Sequence, residues 1–135
     1  MYGSFDISTS GMIANRVRLE TAAANTANAS AILSPDGERY EPYRRRDVVL
    51  ATGDPESGSA LGVHVAAIEV DQAPLVPRYE PDSPFADEGG YVMYPNVSIV
   101  VEQMNAMEAL RSYEANAAAV EATRAMINTA LQMIA

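Results

Sequence analysis

The sequence predicts an α+β fold in which N- and C-terminal helices pair as a coiled coil and a small β-hairpin domain is inserted between them. All eight prolines lie between Pro35 and Pro95, and six of the eight glycines lie in the same interval. Proline and glycine interrupt helices, so the two ends of the chain are free to be helical and the middle is not. Apolar residues at both ends also recur at spacings of three and four. We therefore expect three segments, residues 1–30, 31–95 and 96–135.

The first segment predicts a helix over about residues 5–30 with two apolar stripes. One stripe contains Ile7, Ile13, Ala14, Val17 and Ala24, and the other contains Phe5, Met12, Leu19 and Ala23. Arg16 and Glu20 separate the two stripes. Because a single partner helix covers one stripe, we expect another surface to cover the second.

The middle segment predicts a small β domain of hairpins. Four stretches are rich in β-branched and aromatic residues, namely residues 43–51, 62–70, 75–79 and 90–94. Turn-rich acidic stretches separate them. Pro74 and Pro77 suit edge positions, because proline cannot donate a hydrogen bond to a neighbouring strand.

The last segment predicts one helix of about 38 residues, which would be ~57 Å long. A compact chain of this size has a diameter of only ~37 Å. The apolar arc of the helix spans roughly 220°, whereas a helix packed on a single core needs about 100°. We therefore expect two partner surfaces, and we expect the terminal helices to fold largely on assembly.

Two stripes of the C-terminal helix are assigned by side-chain size. The branched side chains of Ile127 and Leu131 are expected to face the N-terminal helix, although the reverse assignment is open. A flatter stripe that includes Ala119 and Ala122 is expected to face a neighbouring subunit. The residues expected at an intrachain or subunit helix interface are Ile7, Met12, Ile13, Val17, Leu19, Met104, Met107, Leu110, Tyr113, Ala117, Val120, Ala122, Met126, Ile127, Leu131, Met133 and Ile134.

Composition excludes several classes of protein. The net charge of −9 argues against nucleic-acid binding, which needs clustered Lys and Arg. The chain has no cysteine, so it cannot contain a disulfide or a thiolate metal site. The N-terminus lacks the pattern of a cleaved secretory signal, and no stretch approaches the ~20 apolar residues of a membrane span. We expect no direct membrane insertion.

Candidate catalytic residues are few, and the sequence predicts no enzyme, metal site or cofactor. His64 is the only histidine, and its strand-like surroundings favour a packed or surface residue. Asp82, Asp87 and Glu88 do not have the spacing of a calcium loop and indicate a solvated turn. The only basic run, residues 44–46, indicates either a subunit contact or a solvated strand edge, because neighbouring strand residues point to opposite faces.

Four stretches, SFDISTSGMIANRVRLETAAANTANAS, PYRRRDVVL, GVHVAAIEVDQAPLVPRYEPDSPFADEGGYVMYPNV and LRSYEANAAAV, together resemble the proximal-rod subunits of the bacterial flagellar axial protein family. The resemblance spans almost the whole chain. The usual Asn-Asn-Ile-Ala-Asn pattern appears as residues 24–28, Ala-Asn-Thr-Ala-Asn, and the usual Pro-Asp-Ala-Asp turn has Phe85 at its second position. The residues that match the family motifs are Asn25, Asn28, Tyr43, Arg44, Arg45, Tyr91, Pro95, Asn96, Tyr113, Glu114 and Asn116.

The resemblance implies a structural subunit of the rod that transmits torque through the periplasm. It implies assembly with copies of itself, with other rod subunits and with ring or rod-junction proteins. It also implies export by the flagellar type III apparatus with an uncleaved N-terminal signal. Another axial rod subunit, a helical export chaperone and a carboxylate-dependent cell-wall hydrolase are the alternatives, and a peptidoglycan-digestion assay tests the last.

Overall fold

The computed structural model describes residues 2–55 and 58–134 and confirms the predicted α+β fold. Helix α1 spans Tyr2–Ala27 and helix α2 spans Ile99–Ile134. Between them lie four strands, β1 (Arg46–Asp54), β2 (Ser59–Val70), β3 (Val76–Tyr79) and β4 (Tyr91–Tyr94). Within the described residues, neither helix is long and apolar enough to cross a membrane.

The two helices pack side by side and run antiparallel. Three contacts between them fix their alignment: Gly11 with Asn116, Arg18 with Glu108, and Asn25 with Glu102. Because the helices are antiparallel, each residue towards the N-terminus of α1 corresponds to about one residue towards the C-terminus of α2. Tyr2 therefore lies level with about residue 125. Helix α2 therefore extends past the described start of α1 by about nine residues, or ~13 Å. We call residues 126–134 the overhang.

Strands β1 and β2 form an antiparallel hairpin that lies along α1. The pairing runs from Arg46 opposite Val70 to Asp54 opposite Ser59, with irregularities after Val49 and Thr52. Gly53 has a φ of 83° and lies so close to the backbone of Ser59 that a Cβ would be 2.6 Å from its carbonyl oxygen. Only glycine fits both conditions, so this residue sets the bend of the hairpin.

The hairpin is joined to α1 near both of its ends. The amide of Val63 donates a hydrogen bond to Ser10 Oγ at 3.1 Å. At the other end, Asn25 Nδ2 donates to the carbonyl of Arg46 at 2.8 Å. Because these contacts lie fifteen residues apart on α1, the hairpin is held parallel to the helix axis.

Strands β3 and β4 form a second antiparallel pair, in which Val76 lies opposite Tyr94 and Tyr79 opposite Tyr91. The rings of Tyr79 and Tyr91 meet edge to face at 5.4 Å. The hydroxyl of Tyr40 accepts a hydrogen bond from the amide of Met93 and donates one to its carbonyl. The side chain of Tyr40 thereby joins the loop before β1 to this small sheet.

The apolar core is small. Among the described residues, the buried apolar ones are Ala14, Ala22, Ala29, Val92 and Ala109. The accessible surface is 9190 Å². A compact monomer of 14.4 kDa exposes about 6,800 Å². About a third more surface is exposed than a compact subunit requires.

Candidate assembly surface and the polar junction

The face of α2 that packs on α1, here called the seam, is made mostly of small and polar residues, with Val120 and Ile127 towards its C-terminal end. Its buried and half-buried positions are Glu102, Asn105, Ala106, Ala109, Ser112, Asn116, Val120, Thr123 and Ile127. Gly11 on α1 lies directly against Asn116, and a Cβ there would be 2.9 Å from the amide group. Small side chains on both helices therefore allow their backbones to approach closely.

The large apolar residues of α2 point away from α1. Val100, Met104, Met107 and Leu110 are all exposed, and Met104 is 61% exposed. The sequence places these residues on a sustained apolar stripe, but the seam that meets α1 is a different stripe of alanine, serine and asparagine. Large side chains at the seam would hold the two helices apart, whereas Ala14, Ala22 and Ala109 pack closely.

The assignment of Leu131 to the seam with α1 is wrong. Leu131 is 61% exposed and lies in the overhang, past the level at which α1 begins. Ile127, which was assigned to the same seam, is half-buried close to that end of α1. The spacing of apolar residues predicts a stripe, but it does not say where the partner helix stops.

The remaining predicted interface residues are divided between exposed and half-buried positions. Those exposed are Ile7, Ile13, Met104, Met107, Leu110, Tyr113, Ala122, Met126, Leu131 and Met133. Those half-buried are Met12, Val17, Leu19, Ala117, Val120 and Ile127. The side chain of Ile134 lies outside the described residues. The exposed group forms the candidate assembly surface.

A buried polar cluster, here called the junction, joins α1, the start of β1 and α2. Glu102 is 2% exposed and accepts two hydrogen bonds through different oxygens. Arg45 Nε donates to its Oε1 at 2.8 Å, and Asn25 Nδ2 donates to its Oε2 at 2.9 Å. Asn25 Oδ1 accepts from the hydroxyl of Tyr43 at 2.8 Å and from the amide of Arg46 at 2.9 Å. The junction thus links all three segments of the chain by directional bonds.

The electrostatics of the junction favour its charged form. Burial opposes the charge of Arg45, but the hydrogen bond that Arg45 donates to Glu102 and the charges of Glu102, Asp47 and Asp71 outweigh it and raise the pKa of Arg45. Arg45 Nη1 lies 3.7 Å from Asp47 and 3.9 Å from Asp71. Burial also raises the pKa of Tyr43, which keeps its hydroxyl a donor to Asn25.

The other two arginines of the basic run contact this same chain. Arg44 Nη1 donates to the carbonyl of Ala73 at 3.1 Å, and the guanidinium of Arg46 lies 5.7 Å from the centre of the Tyr43 ring. Of the two interpretations of this run, the solvated strand edge fits Arg44 and Arg46, which are exposed. Neither interpretation fits Arg45, since its partner is the buried Glu102.

The remaining family-motif residues lie outside the junction. Asn28 and Asn116 each donate a hydrogen bond to a carbonyl one turn earlier, those of Ala24 and Ser112, at 2.8 Å. Pro95 is buried, whereas Tyr91, Asn96, Tyr113 and Glu114 are exposed. The structure therefore brings Asn25, Tyr43 and Arg45 together and leaves the other motif residues apart.

Glu102 is the site residue that the sequence did not single out. A glutamate near the start of a helix is usually explained by the helix dipole alone. Its partners Arg45 and Asn25 are 57 and 77 residues away. No local signal in the sequence indicates that Glu102 is buried, because both partners are remote in sequence.

The residues considered as candidates for catalysis or metal binding make contacts that stabilise the fold. The Nδ1 atom of His64 lies 2.8 Å from the carbonyl oxygen of Gly53, across the β1–β2 hairpin. Asp87 Oδ1 accepts hydrogen bonds from the amides of Gly89 and Tyr91 and so closes the turn before β4. Within residues 2–55 and 58–134, no group of three or more His, Asp or Glu side chains could hold a metal ion.

Comparisons with known proteins show which proteins the chain is similar to. The model of the flagellar basal body rod FlgEFG protein C-terminal family matches residues 88–133, which include β4 and nearly all of α2. A flagellar basal-body rod protein FlgC of Salmonella typhimurium is 42% identical over 123 residues, which are 91% of this chain and 90% of the relative. That of Borreliella burgdorferi is 32% identical over 151 residues, covering 99% of this chain and 97% of the relative. That of Aquifex aeolicus is 40% identical over 125 residues, covering 92% and 90%.

Two long terminal helices around a small β insert, together with these matches, define a structural protein of the flagellar basal-body rod. Each match covers nearly the whole of this chain and nearly the whole of the relative. The chain belongs to the FlgC family of flagellar basal-body rod proteins.

Proposed function

We propose that this rod protein polymerises through the outward faces of its terminal helices and forms part of the proximal rod, the drive shaft that transmits torque. The observation that carries the proposal is that small side chains are buried between the two helices while large apolar side chains are exposed. Small residues such as Ala109 fill the intrachain seam, while large residues such as Met104 and Leu110 are exposed. A subunit that worked alone would bury its large apolar residues first.

Burial of these residues between subunits supplies the affinity. Complete burial of one Leu, Ile or Met side chain contributes ~1.5–3 kcal/mol. Several of them line α2 from Val100 to Met133. Contacts between unlike surfaces that do not close generate a filament, whereas a self-complementary patch would stop at a dimer. A shaft needs the first kind of contact, repeated at every subunit.

Membership of the rod protein family supports a proposal for the partners and the location of the subunit. The partners are copies of this chain, other rod subunits and the proteins at the junction of rod and ring. The rod lies in the periplasm, and the type III apparatus exports the subunit without cleavage of a signal peptide. In this proposal, residues 1–30 carry export information, residues 31–95 form the β domain and residues 96–135 supply the long helix.

A single added charge tests the proposal. Ala122 is exposed on α2, and the residues one helical turn away from it, at positions 118, 119, 125 and 126, are uncharged. Ala122→Glu would place an unpaired carboxylate at a subunit contact, at a cost of several kcal/mol at each copy. We expect normal secretion on immunoblots, non-motile cells and incomplete rods in electron micrographs.

The matched control is Asn128→Glu, which adds the same charge to the exposed polar strip of the same helix. We expect this variant to swim normally. A motile Ala122→Glu strain would show that this face of α2 is exposed to solvent in the rod, and it would contradict assembly through the outer face.

A further inference from the structure

The small sheet of β3 and β4 has only two strands, so each strand has an outer edge. In an antiparallel pair, alternate residues turn their amide and carbonyl groups towards the partner strand and away from it. The amide of Glu80 donates a hydrogen bond to the carbonyl of Gly90 at 2.9 Å, one position past the last pair of the sheet. The odd-numbered residues of both strands therefore turn these groups outward, namely Pro77, Tyr79, Tyr91 and Met93.

The outward backbone groups of β4 are all bonded within the chain. The amide of Met93 donates to the hydroxyl of Tyr40 at 2.9 Å, and the same hydroxyl donates to the carbonyl of Met93 at 3.0 Å. The amide of Tyr91 donates to Asp87 Oδ1 at 2.9 Å, and its carbonyl accepts from the amide of Asp87 at 2.9 Å. The four groups that a further strand would bond are therefore occupied.

The outer edge of β3 is closed by proline. Pro77 has no amide hydrogen, and neither has Pro81, two residues past Tyr79. A strand added at this edge would find the amide of Tyr79 as its single donor between the two prolines. Proline is confined to sheet edges because it cannot donate to a neighbouring strand, and it hinders the pairing of such an edge with another chain.

The exposed face of this sheet makes open edges a hazard. Residues two apart on a strand and residues directly opposite each other share a face, so Pro77, Tyr79, Tyr91 and Met93 lie on one face. Tyr79 is 66% exposed, and none of the four side chains carries a charge. An exposed apolar strand with open backbone groups is a template for pairing with another chain.

We propose that Tyr40 closes the outer edge of β4 to strand addition, so that copies of the subunit do not join through this sheet. The ring of Tyr40 stacks on Phe85 at 5.5 Å, which holds the hydroxyl beside the backbone of Met93. Pro77 has the corresponding role on β3. This closure acts in the unassembled subunit and does not depend on the proposed polymerisation through the helices.

Tyr40→Phe tests the role of the hydroxyl, because it removes one oxygen and keeps the ring that stacks on Phe85. The matched control is Tyr79→Phe, which removes a hydroxyl from an exposed ring of the same sheet. Amide exchange at Met93 is followed by NMR in the purified full-length subunit, from dilute to concentrated solution. In dilute Tyr40→Phe we expect exchange at Met93 to be about tenfold faster than in the native subunit, as for one lost hydrogen bond.

High concentration should restore the protection of Met93 in Tyr40→Phe, because the opened edge then pairs with a second copy. Sedimentation velocity should show more oligomer for this variant than for Tyr79→Phe, in which exchange at Met93 should not respond to concentration.

Three results would overturn the role of Tyr40. One is equal exchange at Met93 in Tyr40→Phe and Tyr79→Phe, because the hydroxyl would then not hold this edge. Another is faster exchange that stays the same at every concentration, because the opened edge would then attract no second copy. The third is protection gained over α2 alone, which would leave the proposed assembly through the helices intact.

Pro77→Val gives an independent measurement at the other edge. Valine supplies the missing amide hydrogen and favours strands. We expect the new amide and that of Tyr79 to gain protection several-fold as concentration rises. Pro74→Val makes the same change outside the sheet and should leave self-association as it is. Equal behaviour of the two proline variants would show that proline does not close β3 and would contradict the proposal.

Discussion

Removal of Arg45 should destabilise the subunit more than removal of its partner Glu102. In Arg45→Met, the carboxylate of Glu102 stays in place, 2% exposed, with Asn25 as its remaining donor. Breaking a buried ion pair from one side costs about 3–5 kcal/mol, because the other charge is left buried without its counter-ion. Domains of this size are stable by about 5–15 kcal/mol, and the small core places this one at the low end.

Glu102→Leu should cost less. Its removal leaves the Arg45 side chain, which is 20% exposed and still lies within 4 Å of Asp47 and Asp71. Asn25 Nδ2 also keeps the carbonyl of Arg46 as an acceptor. Glu102→Gln is a poor rescue, because both carboxylate oxygens accept hydrogen bonds and the new amide group would meet one donor with another.

The assay is urea unfolding of the purified full-length subunit, followed by far-ultraviolet circular dichroism. We expect the double variant, Arg45→Met with Glu102→Leu, to regain much of the loss, with a coupling of ~2 kcal/mol. The reasoning is refuted if Arg45→Met costs less than about 1 kcal/mol, or if the two single changes add within ~0.5 kcal/mol. Hydrogen exchange at residues 102–109 provides a second measurement that does not depend on two-state unfolding.

Two further predictions concern the helix pair. Gly11→Ala should destabilise the subunit, because the added Cβ would meet the Asn116 amide at 2.9 Å. This clash should outweigh the preference of helices for alanine over glycine, which is about 1 kcal/mol. In the same unfolding assay, Gly11→Ala should become stabilising when Asn116→Ala is also present. In dilute monomer, hydrogen exchange should be slowest at residues 14–25 and 102–109, where the buried residues of the helices lie, and fast over residues 117–133. Uniform protection of α2 in a chain shown to be monomeric by ultracentrifugation would contradict this gradient.

The existence and type of the elements could be predicted because they depend on local chemistry. Proline and glycine are confined to the middle of the chain, and β-branched residues mark the strands there. The length of α2 follows from the absence of any helix-breaking residue after Pro95. None of these inferences requires knowledge of which residues meet in space.

The face of each helix could not be predicted, since both faces of α2 are apolar. Hydrophobicity ranks Met104 and Leu131 above Ala109 for burial, yet Ala109 is the residue buried at the seam. A close approach of two backbones needs small residues, and that requirement appears only when Gly11 is known to face Asn116. The buried Glu102 was hidden for a related reason, because its partner Arg45 is remote in sequence and on a strand.

The junction and the outer apolar faces have different physical tasks in this subunit. Apolar contacts are non-directional, so a subunit held only by them could set its helices at several angles to the β domain. Hydrogen bonds require defined distances and angles, and the bonds of Asn25, Arg45 and Glu102 connect α1, β1 and α2 at a single point. We infer that the junction fixes the relative orientation of the segments and leaves the large apolar residues free for contacts between subunits. A stiff shaft built from many copies needs both properties, because an error in orientation at one subunit is repeated at the next.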